Sequence, residues 1–231
     1  MNRWNQLWNV RPTLVGETDF FRQVGKTVGG RPLTDAQFRL MIDEIAGRLE
    51  LAPGDRLLDL CCGNGVLTRE LAARCGEVVG VDFSRPLIDT ANKYHRPANV
   101  QYQLLSALDV QPSSFAHDRL FDKVLLYDAL QHFQPADFGT LLSHLSPLTT
   151  KRRRMVFGGI PDVARRWRFY DSPRKRALYL ARRITGRDLI GTWWDRRFIE
   201  RTCARWNLEC RCLDQAPGMY NAHFRFDVVV W

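Results

Sequence analysis

No apolar run in the chain approaches the ~18 residues that a membrane-crossing helix needs. The opening stretch, MNRWNQLWNV, lacks a basic patch followed by an apolar core, so it does not read as a secretory leader and a cytoplasmic protein is expected. Internal repeats and low-complexity tracts are missing, which argues against a solenoid or a disordered chain. The six cysteines, at 61, 62, 75, 203, 210 and 212, lack the C-x2-C spacing of a zinc site and the regular spacing of a disulfide framework. They read as reduced thiols packed as small apolar groups. What is present is 231 residues, 45% apolar and 26% charged. That is enough chain to bury a core on both faces of a sheet in one soluble domain.

The net charge of +9 is unevenly placed. Residues 151–211 hold 18 Lys and Arg against 6 Asp and Glu, whereas the remainder holds 16 against 19. One segment carries the whole positive excess and is expected to face something acidic.

Residues 1–34 are turn-rich and read as an N-terminal cover segment. A helix fits 34–50, capped by Thr34, with Phe38, Met41, Ile42, Ile45 and Leu49 on one face. The run at 57–61 is short and nearly all apolar, as in a strand buried on both sides. Helix 66–75, strand 77–82, helix 85–95, strand 99–105, strand 122–127, helix 135–146 and strand 154–159 follow. Strands alternating with helices imply parallel βαβ units. After a helix at 193–206, strands 207–214 and 224–231 are joined too closely for a crossover, so they must be antiparallel. The expected fold is α/β: a seven-stranded, mostly parallel sheet with helices on both faces and an antiparallel C-terminal strand pair.

Residues 161–192 interleave arginines with Trp167, Phe169, Tyr170 and Tyr179. An insertion there emerges at the carboxyl ends of the strands, where open α/β sheets bind ligands, so it reads as a substrate lid. The plain alternative is a solvated basic helix.

The segment Leu57-Leu58-Asp59-Leu60-Cys61-Cys62-Gly63-Asn64-Gly65 joins the first strand of the series to its helix. Glycines there permit positive φ and close approach of a ligand to the backbone. The second strand ends in Asp82, where a carboxylate can accept both hydroxyls of a ribose. A dinucleotide fingerprint would need glycine at 68, where Thr68 stands.

LLDLCCGNG, VVGVDFS, FDKVLLYDALQHF and HFRFDVVVW, in this order, resemble the motifs of the class I S-adenosylmethionine-dependent methyltransferases, a Rossmann-like family. The resemblance covers about residues 35–231. It implies S-adenosyl-L-methionine as cofactor. It implies that Asp59, Gly63 and Gly65 hold the methionine end, that Asp82 holds the ribose and that Phe83 lies against adenine. Cys61 stands where the family has its first glycine. Ser106 and Ala107 stand where many members carry an acid near the adenine, with Asp109 as a candidate substitute. Tyr127 is a further expected cofactor contact.

Methyl transfer from a sulfonium is mostly a matter of positioning, and a base is needed only for a hydroxyl or protonated amine acceptor. His132, His223 and Tyr220 are the candidate bases, His132 for its place after the strand at 122–127 and its near-neutral titration. Asp128 and Asp162 follow strands where metal-dependent relatives place ligand acids, but two carboxylates alone make no metal site and none is expected. Trp193 and Trp194 fit core packing better than an acceptor pocket. Trp4 and Trp8, at helical spacing, suit either a cover over the cofactor or packing on the sheet edge.

The acceptor expected is a small molecule, acidic in character if it meets the basic segment. RNA is the weaker alternative, since neither an Asn/Asp-Pro-Pro-aromatic motif nor a Pro-Cys nucleophile is present. A cofactor-binding scaffold is compatible with Cys61 and Ser106, and docking of the basic insertion on an anionic membrane with its charge.

Overall fold

The computed structural model describes residues 3–115, 119–185, 188 and 190–231. The N-terminal segment folds as helices α1 (Arg3–Val10) and α2 (Phe20–Gln23) and a short hairpin of β1 (Thr27–Val28) with β2 (Arg31–Pro32). Helix α3 (Asp35–Leu49) follows. Thr34 Oγ1 accepts from Gln37 N and the Gln37 side chain accepts from Thr34 N, a reciprocal cap that starts the helix where the sequence placed it.

The sheet is built from β3 (Arg56–Leu60), β4 (Glu77–Asp82), β5 (Val100–Leu104), β6 (Phe121–Tyr127), β7 (Thr149–Pro161), β8 (Cys210–Asp214) and β9 (Arg225–Val230). Their spatial order is β5-β4-β3-β6-β7-β9-β8. The first five in that order run parallel, and β9 pairs antiparallel with both β7 and β8. The crossovers carry α4 (Val66–Ala72), α5 (Arg85–Tyr94) and α6 (Pro135–Leu145), while α7 (Arg166–Phe169), α8 (Pro173–Ile184) and α9 (Arg196–Arg205) lie between β7 and β8. The expected α/β architecture with its antiparallel end is the observed one.

Successive residues of a strand point to opposite faces, and both faces are covered. Leu58, Leu60, Val124, Leu126 and Phe157 pack with Phe138, Leu141 and Leu142 of α6 and Ile199 of α9. Leu57, Val78, Leu125 and Val156 pack on the other side with Met41, Ile45 and Leu49 of α3 and Leu71 of α4. This is why the strand segments read as unbroken apolar runs.

Several boundaries differ from the sequence reading. The strand expected at 154–159 runs from Thr149 to Pro161, because β7 borders β6 along one edge and β9 along the other. The helix expected at 193–206 begins at Arg196. Asp195 caps it through Phe198 N at 3.1 Å, and Trp194 stays extended, bridged to Asp162. Helix 66–75 stops at Ala72, and strand 207–214 starts at Cys210, after Asn207 turns the chain at φ 54°.

Candidate active site

The turn from β3 to α4 holds three left-handed residues: Cys61 (φ 57°), Gly63 (φ 60°) and Gly65 (φ 77°). At Gly63 a side chain would also lie 2.9 Å from Val24 Cγ1. Cys61 adopts the glycine-favoured conformation without being glycine, a strain of about 1 kcal/mol. Asn64 fastens the turn to the N-terminal segment, its Nδ2 donating to Phe20 O at 2.9 Å and to Gln23 Oε1 at 2.8 Å.

Above this turn lies a cleft of about 1090 Å³, open mouth included. Asp82, at the tip of β4, accepts from Gly63 N (2.9 Å) on one oxygen and from Ser84 N (2.8 Å) on the other. Burial pushes its carboxyl up to about 6, against the pull of those N–H groups. Asp59, one strand over, accepts from Thr68 Oγ1 at 2.6 Å, and burial pushes it up to about 7. Burial beside these two acids also lifts the Cys61 thiol well above its ordinary range, so it stays neutral.

Asp59, Cys61, Gly63, Asp82, Phe83, Ser106, Ala107 and Tyr127 all line the cleft. Gly65 does not. It stands just behind the wall, where a side chain would strike the Tyr102 hydroxyl. Asp109, the substitute considered for the adenine contact, is exposed and absent from the lining. Ser106 Oγ instead accepts from Leu108 N at 3.2 Å and shapes its own loop.

The candidate bases separate. His132 faces the cleft, its ring 4.2 Å from that of Trp4 and 5.5 Å from that of Trp8, centroid to centroid. Both its ring nitrogens are buried without a partner. Burial, aided by Arg225, lowers its titration to about 3, so the imidazole is neutral. Tyr220 and His223, the other two candidate bases, are not in the lining. The Tyr220 hydroxyl donates to Asp128 Oδ2 at 2.7 Å, and burial holds its proton far more tightly than usual. His223 packs against Phe224 with 4.8 Å between centroids. The connection before β9 divides: Met219 and Tyr220 join the core on the α3 side of the sheet, whereas His223 lies near the charges of Asp171, Arg168 and Lys175.

The residue that the sequence reading missed is Lys26. Its Nζ lies 3.0 Å from Asp128 Oδ2, and both residues line the cleft. Burial would raise the Asp128 carboxyl, but Lys26 and Arg225 outweigh it and hold it below the ordinary value. Asp162 is engaged elsewhere, accepting from Arg196 Nε at 2.9 Å and from Ala164 N at 2.9 Å. Trp8 O accepts from Ser84 Oγ at 2.8 Å, so α1 is latched across the cleft beside Asp82. Trp194 is fully buried and donates to Leu130 O at 3.1 Å, as core packing requires, whereas Trp193 borders a shallow groove with Trp4.

Residues 57–151 match a family model described as a methyltransferase domain. An uncharacterized methyltransferase of Schizosaccharomyces pombe is 33% identical over 130 residues, covering 52% of this chain and 47% of its own length. A demethylmenaquinone methyltransferase of Lactobacillus johnsonii is 36% identical over 94 residues, covering 39% of this chain and 38% of its own. The chain thus spans less than half the length of these relatives. Among solved structures, magnesium protoporphyrin IX methyltransferase from Synechocystis PCC 6803, crystallised with bound SAH, superposes with a TM-score of 0.66 at 16% identity, over 98% of this chain and 94% of that one.

Proposed function

We propose that this chain, whose residues 57–151 match a methyltransferase domain, is a class I enzyme that transfers a methyl group from S-adenosyl-L-methionine to a small-molecule acceptor. The observation that carries this reading is Asp82. Each of its carboxylate oxygens takes one backbone N–H and keeps capacity for a second donor, which suits the two hydroxyls of a ribose. Phe83 and Leu87 offer apolar surface beside it for a purine, with Ser106 and Ala107 on the neighbouring loop. Asp59 and the Cys61–Gly63 turn lie toward the methionine end.

The sulfonium supplies an already electrophilic methyl carbon. The chain's own task is to align an acceptor and exclude water. Trp4 and Trp8 cover the cleft mouth, and the neutral His132 between them can accept a hydrogen bond from an acceptor hydroxyl or amine. We assign His132 the positioning of the acceptor, with Lys26 and Asp128 as the polar part of the same wall.

A small acceptor is favoured over RNA by how the basic segment is used. Arg154 pairs with Glu50, Arg165 with Asp214 and Arg196 with Asp162, so these guanidiniums are spent within the fold. All six cysteines are free thiols, which supports placing the reaction in the reducing cytoplasm.

Calorimetry with S-adenosylmethionine and its demethylated product tests the cofactor site. Methyl-labelled cofactor with metabolite extracts tests the acceptor. A small labelled product is expected. Label passing to RNA alone would overturn the acceptor class, and failure of millimolar cofactor to bind would overturn the reaction.

A further inference from the structure

Helix α8 has twelve residues, Pro173–Ile184, and only Tyr179 among them is buried. The face opposite Tyr179 is formed by Ala177, Leu178, Leu180, Ala181 and Ile184. Leu178 is 47% exposed, Leu180 54% and Ile184 87%. A twelve-residue helix anchored by one side chain is marginal in water, and its aliphatic stripe gains nothing there. Lys175, Arg176, Arg182 and Arg183 flank that stripe and Arg174 stands at its N-terminal end, with no acid anywhere in the helix. Arg176 and Arg183 reach back to Tyr170 O and the Tyr179 hydroxyl, while Lys175 meets only the exposed Asp171. In the adjacent α7, Trp167 is 41% exposed, with the guanidiniums of Arg166 and Arg176 stacked on its ring at 4.7 and 5.5 Å.

We propose that α8, with Trp167, is a membrane-docking face that seats the protein on the surface of an anionic lipid bilayer. Charge and shape favour this occupant. RNA would match the cations but has no use for exposed leucine and isoleucine. An apolar protein groove would match the leucines but not five cations that share one exposed acid, Asp171. An anionic bilayer offers both in one plane, phosphates at the level of the arginines and acyl chains a few ångströms below. Arginine and lysine stems lie along apolar surface while their heads stay with the phosphates, and tryptophan settles at the boundary. No helix of the described residues is long and apolar enough to cross a membrane, so the contact is peripheral.

The position of the face connects it to the cleft. Tyr179 and Arg183 of α8 border the groove that Trp4 and Trp193 share, and Trp4 also lines the main cleft. Trp4, whose ring lies 4.2 Å from that of His132, is therefore the wall between the docked face and the cleft. Docking itself does not depend on the reaction assigned above.

Flotation of the full chain with vesicles provides the test. The protein is expected to float with vesicles rich in phosphatidylglycerol and to stay behind with phosphatidylcholine alone, and to be released as salt rises. The double variant Leu180→Ser/Ile184→Ser should lower the vesicle affinity by about tenfold or more while its circular dichroism and cofactor calorimetry stay unchanged. The variant Arg174→Gln/Lys175→Gln should lower it by roughly fivefold to tenfold. No flotation, or equal flotation with neutral vesicles, would overturn the proposal. So would a concentration-dependent dimer in light scattering that Leu180→Ser/Ile184→Ser abolishes, since the face would then be covered by a second copy. Retention of RNA, lost with the arginine variant but not the leucine variant, would overturn it in favour of nucleic acid.

Discussion

Lys26 and Asp128, 102 residues apart in sequence, meet at 3.0 Å at the tip of β6. The pair ties the N-terminal segment to the centre of the sheet, and Arg225 Nη1 lies 3.5 Å from the other Asp128 oxygen. Asp128 itself sits at φ 56°, so its carboxylate is presented by a turn that costs strain and is held by two cations.

Replacing Lys26 with Met should leave a buried carboxylate with Arg225 as its remaining cation and destabilise the fold by about 3 kcal/mol. Asp128→Asn in the same background should recover part of that loss. The folded Asp128 titrates below its unfolded value, so its contribution is full above pH ~4 and fades only as pH falls through the depressed folded value. Lys26→Met should therefore flatten the acid limb of the stability profile. Urea melts across pH check both points, and additive single-site losses would show that the contact carries no coupling.

Asp82 titrates near 6 in the free protein. Above that value it is an anion able to accept from two hydroxyls; below it, one oxygen is protonated and acceptance weakens. The dissociation constant for S-adenosylmethionine should rise as pH falls from about 7 to 5. Asp82→Asn should bind roughly tenfold to hundredfold more weakly at neutral pH, and the pH dependence it keeps should be that of Asp59 alone, which burial pushes up to about 7. Calorimetry at several pH values reads this directly, and a wild-type constant flat across that range would remove Asp82 from the diol.

Cys61 holds a left-handed backbone conformation. Cys61→Gly relieves that strain but loosens the unfolded chain, so a change within about 1 kcal/mol of wild type is expected. Cys61→Val forces a β-branched side chain into the same φ and should cost about 1–2 kcal/mol. Thermal melts of the two variants separate backbone strain from loss of the thiol, because both lack sulfur.

Burial, with Trp4 and Trp8 against the ring, and Arg225 nearby keep His132 neutral. Its folded value, about 3, lies below the unfolded one, so the unfolded chain takes up its proton first. The stability that His132 contributes while neutral is lost as pH falls below ~6.5, at up to ~1.4 kcal/mol per pH unit. Trp8→Ala should expose the ring and move its titration back toward the ordinary value, visible by NMR of the imidazole. Turnover should fall in the same variant, with the cofactor constant less affected. An unmoved histidine would mean that α1 does not set its environment.

The sheet was legible in the sequence because its evidence is local. Runs such as Leu57–Leu60 and Val124–Tyr127 are apolar on both sides of the pleat, and the cap at Thr34 is written in a few adjacent residues. The turn beneath the cleft was legible for the same reason, since Gly63 and Gly65 permit positive φ, whereas nothing in the residue type marked Cys61 for it. Lys26 carried no such mark: a single lysine in a turn-rich segment looks like surface until the hairpin carries it to Asp128. Tyr220 and His223 were candidates for their place in the connection before the last strand, yet Tyr220 packs on the α3 side and His223 lies against Phe224, near the charges of Arg168 and Asp171. Sequence by itself determined the alternating elements and the glycine turn, which depend on neighbours in the chain. Tertiary structure alone decided which charge neutralises Asp128, which rings enclose His132 and which face of α8 is left bare, because burial and Coulomb energy depend on distance in space.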